Sequence, residues 1–120
     1  MAGITSELTK AVKHRVPLTR GVNKLYYKDF KHVFAVRGEE LARFDKDIME
    51  LYVKGTMTIA RLNRYNNLCN GFTDYEVFVL PEGDKLRVLS AKTGDELLIP
   101  SGGKLYILPT GEIIATPFEF

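Results

Sequence analysis

Tryptophan is absent, histidine occurs twice and cysteine once, as Cys69. A lone thiol forms no intrachain disulfide and offers no cysteine pair for zinc, which excludes a stapled secreted scaffold and a zinc ribbon. Two histidines, His14 and His32, are sparse material for acid–base or metal chemistry. No apolar run approaches the roughly 18 residues of a membrane helix, and the opening MAGITSELTKAVKHRVPLTRG lacks the apolar centre of a secretory signal. The expectation is a protein of cytoplasmic origin, not secreted by a signal peptide and with no membrane partner, a setting that includes virion proteins made inside a host cell.

Carboxylates are also scarce at one end. The first 37 residues carry Lys10, Lys13, Arg15, Arg20, Lys24, Lys28, Lys31 and Arg37 against only Glu7 and Asp29, while the whole chain is just +2. The remainder is therefore acidic, and such asymmetry concerns what a chain adheres to more than what it turns over. The expected organisation is a basic arm, residues 1–37, ahead of a single α+β domain, residues 38–120. With 120 residues, 45% of them apolar, six tyrosines and seven phenylalanines, one core is expected without staples.

Several segments carry a period. Residues 1–14 read as a short helix with Thr5 or Ser6 as cap and Leu8, Ala11 and Val12 on one side, and Pro17 turns VPLTRG into an extended link. HVFAV reads as a strand. Leu41, Phe44, Ile48 and Leu51 recur at helical spacing behind Glu39 and Glu40, with Gly55 as a stop. A second helix is expected from Thr56, with Ile59, Leu62, Tyr65 and Cys69 inward, ending by Asn70-Gly71; the rival reading is a hairpin turning at Lys54-Gly55. From residue 75 five short runs, YEVFVL, KLRVL, ELLI, KLYIL and EIIAT, alternate with turn-formers such as PEGD, PSGG and PTG. Connections this short force antiparallel neighbours, so a β-meander, open or closed into a small barrel, is predicted. Its alternation puts Val77, Leu86, Val88, Leu97, Ile107 and Ile113 on one set of faces and Phe78, Leu80, Leu89, Leu98, Leu108 and Ile114 on the other.

Little of this suggests catalysis. A ribonuclease-like use of His14 and His32 beside the cations is weighed against two partly exposed histidines on a basic surface, and the second reading is preferred. Cys69 in NNLCNG reads as a buried, inert thiol. Asp45 with Asp47, and Glu82 with Asp84, match no metal-binding pattern, and PSGGK lacks the first glycine and the Ser/Thr of a phosphate loop. No cofactor and no metal are expected.

Two signals remain. The arm cations Lys10, Lys13, Arg15, Arg20, Lys24, Lys28 and Lys31, interleaved with Tyr26, Tyr27 and Phe30, resemble a segment that tracks phosphates or an acidic neighbour. Leu51 to Asn67 loosely resembles a helix-turn-helix with Arg61 and Arg64 outward, although Leu51 stands where a small residue is usual and Arg61 where an apolar one is. The leading expectation is a non-enzymatic structural or assembly subunit, of virion or phage type among others, whose arm binds neighbouring subunits or packaged DNA or RNA. The tail TPFEF would dock Phe118 and Phe120 into its own core or a neighbour's groove. The alternatives are a nucleic-acid-binding regulator with a degenerate helix-turn-helix, and a small inhibitor docking on a host enzyme.

Overall fold

The computed structural model describes residues 4–115. Its elements are α1 (Ile4–His14), β1 (Leu18–Arg20), β2 (Asn23–Lys28), β3 (Lys31–Val36), β4 (Glu39–Phe44), β5 (Met49–Tyr52), α2 (Ile59–Thr73), β6 (Val77–Glu82), β7 (Lys85–Ser90), β8 (Glu96–Pro100), β9 (Lys104–Ile107) and β10 (Ile113–Ala115). The class is α+β, as expected. The strands form a seven-stranded sheet in the order β1-β2-β3-β4-β5-β9-β10 and a three-stranded sheet β6-β7-β8, every pair antiparallel. Neither sheet closes into a barrel.

The five C-terminal strands all form, but they do not make one meander. β9 leaves β8 and pairs with β5, matching Met49 to Ile107 and Leu51 to Leu105, all four fully buried. Burial of those side chains decides the partner, a non-local choice that turn chemistry does not encode. Ser90 stitches the sheets together, its hydroxyl donating to the Gly111 carbonyl at 2.6 Å.

The helix expected from Gly38 to Lys54 is instead the β4–β5 hairpin, and it turns at Asp45–Ile48 rather than at Lys54-Gly55. The Asp45 carboxylate accepts from the Asp47 and Ile48 amides at 2.8 and 3.0 Å, a local Asx-type turn. The helical spacing has a structural cause. A bulge between Phe34 and Ala35 shifts the register opposite Leu41 and Ala42, so both are buried, and the turn residues then separate them from Met49 and Leu51. Residues 49–52 being a strand, no helix-turn-helix exists: Leu51 to Asn67 is strand, loop and a single helix.

That helix, α2, is the second one expected, with different ends. Thr58 caps it, accepting from the Arg61 amide at 3.2 Å, and left-handed Asp74 ends it. Tyr65 and Cys69 are buried as expected, whereas Ile59 points outward. The Tyr65 hydroxyl donates to the Tyr52 carbonyl at 2.7 Å and accepts from the Lys54 amide at 3.1 Å, which ties the helix to the end of β5.

Residues 4–36 do not stand apart as an arm. α1 buries Leu8, Ala11 and Val12, β3 pairs with β4 across the expected boundary, and Leu25 and Phe34 are in the same core as Leu68, Phe72, Val77 and Leu105. Charge marked this stretch as separable, but its apolar alternation commits it to the sheet. The helices cross where Gly71 meets α1: a β-carbon there would lie 2.5 Å from the Thr9 carbonyl oxygen and 2.8 Å from the Val12 β-carbon. Gly71, read from sequence as a helix stop, is thus a packing position inside α2.

Candidate interaction surfaces

Of the cysteine and the two histidines, Cys69 and His32 are held by packing. Cys69 is fully buried and burial pushes its thiol up to about 12, so it stays protonated at neutral pH. Among the described residues no group of three His, Cys, Asp or Glu is placed to hold a metal. His14 sits exposed at the end of α1, while His32 on β3 stacks on Phe44 with centroids 5.1 Å apart and meets Tyr27 edge-on at 5.0 Å. Arg15, in a left-handed turn, donates to the Val12 carbonyl at 2.6 Å and lies 5.4 Å from the Phe44 and Phe72 centroids.

Burial lowers the His32 pKa, the nearby Arg15 charge lowers it further, and Asp45 opposes both. The folded state therefore holds this proton less tightly than the unfolded chain, whose imidazole titrates near about 6.5. The stability His32 contributes is present above that pH and is lost as pH falls through its lower folded value. Thermal unfolding from pH 7.5 down to 5.5 should show a falling midpoint, and His32→Gln should flatten that slope; an unchanged slope would refute the assignment.

The cations expected to act together are dispersed. Lys10, Lys13 and Arg15 belong to α1 and its end, Arg20 to β1, Lys24 and Lys28 to β2, and Lys31 to β3. Several meet the chain's own carboxylates: Lys13 with Asp74 at 3.6 Å, Arg20 with Glu7, Lys31 with Asp45 at 3.5 Å, and Arg61 with Glu39 at 3.1 Å. Such exposed pairs are worth roughly 0–1 kcal/mol each. Arg64 donates from Nε to the Asn23 side-chain carbonyl at 2.8 Å, and its pKa is lowered by burial and by the charges of Arg61 and Arg37. Arg37, counted with the basic stretch but not singled out, thus joins Arg64 near one end of the large sheet. No local pattern signals this, because the meeting depends on how the β3–β4 turn sits against α2.

What the sequence located well is the outer face of the small sheet. Val77, Val79, Leu86 and Val88 are buried inward, whereas Phe78, Leu80 and Leu98 are 43%, 50% and 43% exposed and Leu89 is half-buried beside them. Cross-strand register makes these neighbours, pairing Phe78 with Leu89, Leu80 with Arg87 and Arg87 with Leu98. Arg87 sits amid this apolar ground, held by Glu82 and, at 2.6 Å, by Glu96.

The two edges of this sheet differ. Along β6 the Asn66 side chain imitates a strand, accepting from the Val79 amide at 2.9 Å and donating to its carbonyl at 3.2 Å. No described strand pairs with the outer edge of β8. Beside that edge lies a groove of about 190 Å³ lined by Leu97, Ile99, Pro100, Gly103 and Ala115 among others. The tail expected to dock, Phe118 and Phe120, lies outside the described residues.

No protein-family model matches the chain, and no curated protein or solved structure matches it either.

Proposed function

We propose that this chain is a non-enzymatic assembly subunit, and that it docks on a neighbouring copy through the outer face and open edge of the small sheet. The observation that carries this reading is the apolar group Phe78, Leu80, Leu89 and Leu98 on a sheet whose β6 edge is met by Asn66 at Val79 and whose β8 edge pairs with no described strand. An open, apolar edge strand is a template for another strand, and soluble monomers generally blunt such edges. Among the described residues β8 is blunted only at its ends, by the charge of Glu96 and by Pro100, which has no amide hydrogen to offer.

Two copies meeting at β8 would extend the sheet across a two-fold axis and place the two apolar rows side by side. Specific interfaces bury roughly 1,600 Å² in total, more than four side chains supply, so the row forms the centre and the β8 peptides set register. Arg87 is paired by both Glu82 and Glu96, so it enters such a contact as a satisfied cation, while the surplus carboxylate charge of the cluster stays at the solvated rim. A virion-type shell is one setting for such a subunit. An inhibitor of a host enzyme would use the same face without self-association.

Light scattering over a concentration series tests this. The wild-type mass should rise above 13.6 kDa, and Leu98→Lys should return it to the monomer with an unchanged melting temperature. A wild-type chain that stays monomeric at several hundred micromolar would overturn the reading.

A further inference from the structure

A second surface lies on the large sheet, at the β1–β2 end opposite to β9 and β10, and it does not depend on the assembly reading. Lys24, Tyr26 and Lys28 alternate along β2, so all three project from the sheet's outer face, opposite to Leu25 and the core. Lys24 is flanked across the ladder by Thr19 on β1 and Ala35 on β3, both short. Short neighbours on both sides of a long cation leave a depression, and a groove of about 640 Å³ is found there, lined by Thr19, Lys24, Tyr26, Ala35, Arg37 and Gly38 among others. Arg37 is held at its rim by the turn: its amide donates to the Val22 carbonyl at 2.9 Å and its φ is +53°.

Cations outnumber carboxylates at this end. Lys24, Lys28 and Arg37 form no ion pair with a carboxylate among the described residues; Glu40, one strand beyond Ala35 in the row of Lys24, pairs with Arg43 and feels the Lys28 charge only at longer range, and Glu50 pairs with Lys104. Arg64, which feels the Arg37 charge, adds to the same positive field. β2 leads from the groove to the β2–β3 turn, where Phe30 is 85% exposed at left-handed backbone.

We propose that this groove and the β2 strand leading from it bind single-stranded nucleic acid, with Lys24, Lys28 and Arg37 on phosphates and Tyr26 stacking on a base. Lys24 and Lys28, four residues apart on the strand, are separated by roughly 13 Å, with the Tyr26 ring midway between them. An aromatic ring between cations is the combination that serves sequence-tolerant single-strand binding, because every base offers a flat face. An acidic peptide would use the cations and leave Tyr26 idle.

Fluorescence anisotropy of a labelled oligothymidylate of about ten nucleotides, a length within the usual footprint of a small binding face, tests the site on the full chain. With three phosphate contacts and a single-strand slope of about −0.7 per contact, affinity should drop roughly 20-fold between 50 and 200 mM salt. The double variant Lys24→Ala/Arg37→Ala should weaken binding and remove about two-thirds of that salt slope. Tyr26→Leu should weaken binding about tenfold or more with the slope intact. All three positions are at least partly exposed, so melting temperatures should stay at the wild-type value. The proposal fails if the oligonucleotide does not bind at 50 mM salt, if these variants bind as wild type does, or if a poly-glutamate peptide of equal charge competes equally well. Monomeric wild-type protein in light scattering would leave this site standing, so failure here and failure of the assembly role are separable.

Discussion

Gly71→Ala should lower the unfolding free energy by roughly 3 kcal/mol, at the upper end of the range for overpacking, and the midpoint by roughly 12 °C for a chain of this size. Position 71 lies inside α2, where alanine is intrinsically the better helix former by about 1 kcal/mol, so propensity alone forecasts stabilisation. The sign is reversed by the α1 crossing. The added β-carbon would sit 2.5 Å from the Thr9 carbonyl oxygen and 2.8 Å from the Val12 β-carbon. The first of these is backbone, so the helices must separate, and Leu8 and Val12 lose their close fit. Val12→Ala should therefore fail to rescue Gly71→Ala. Thermal and urea unfolding by circular dichroism measures both; an unchanged or raised midpoint for Gly71→Ala would show that the helices are not in this contact.

Phe44→Ala should cost about 4 kcal/mol, the usual loss when a buried phenylalanine is truncated. Its ring is fully buried, meets Phe72 at 5.7 Å and 66°, stacks on His32 and lies near the Arg15 guanidinium. Truncation removes a wall of the pocket that desolvates His32 and lets water reach the imidazole. A proton NMR titration should then show the His32 pKa climbing toward its ordinary value, while urea unfolding records the lost stability. Phe44→Leu keeps most of the volume and should show the same direction at smaller cost. A His32 pKa identical in wild type and both variants would refute burial as the cause of its shift.

How legible the fold was depended on the range of the interactions that fix it. The strands at Val77–Glu82 and Lys85–Ser90 could be read because PEGD supplies its own turn and the flanking residues alternate cleanly. Their division from β9 and β10 could not, since the pairing of Leu51 with Leu105 joins residues far apart in sequence. The β4–β5 hairpin was disguised by a bulge in β4, where Leu41 is the extra residue opposite Phe34/Ala35 and converts a period of two into apparent helical spacing. The basic stretch misled because charge says nothing of packing. Its thin row of Leu8, Ala11 and Val12 is enough to hold α1, given a glycine opposite.

The surfaces followed the same division. Phe78, Leu80 and Leu98 were separable from Val77, Leu86 and Val88 by alternation alone, because a strand sends successive side chains to opposite faces. Lys24 and Lys28 could be named, but not their release from carboxylates that Lys13, Arg20 and Lys31 do meet. The role of Arg37 was hidden, as it arises where two turns meet at one end of the sheet.

The assembly role rests on β8 being the strand that receives a neighbour, and amide hydrogen exchange reads that strand directly. Exchange should be followed across Glu96–Pro100 in dilute and in concentrated wild-type protein, with the core strand β3 as internal reference. The β8 amides facing away from β7 should exchange freely when dilute and become protected as concentration rises, while Leu98→Lys leaves them free at both. Exchange of β8 that is the same at every concentration would contradict the account.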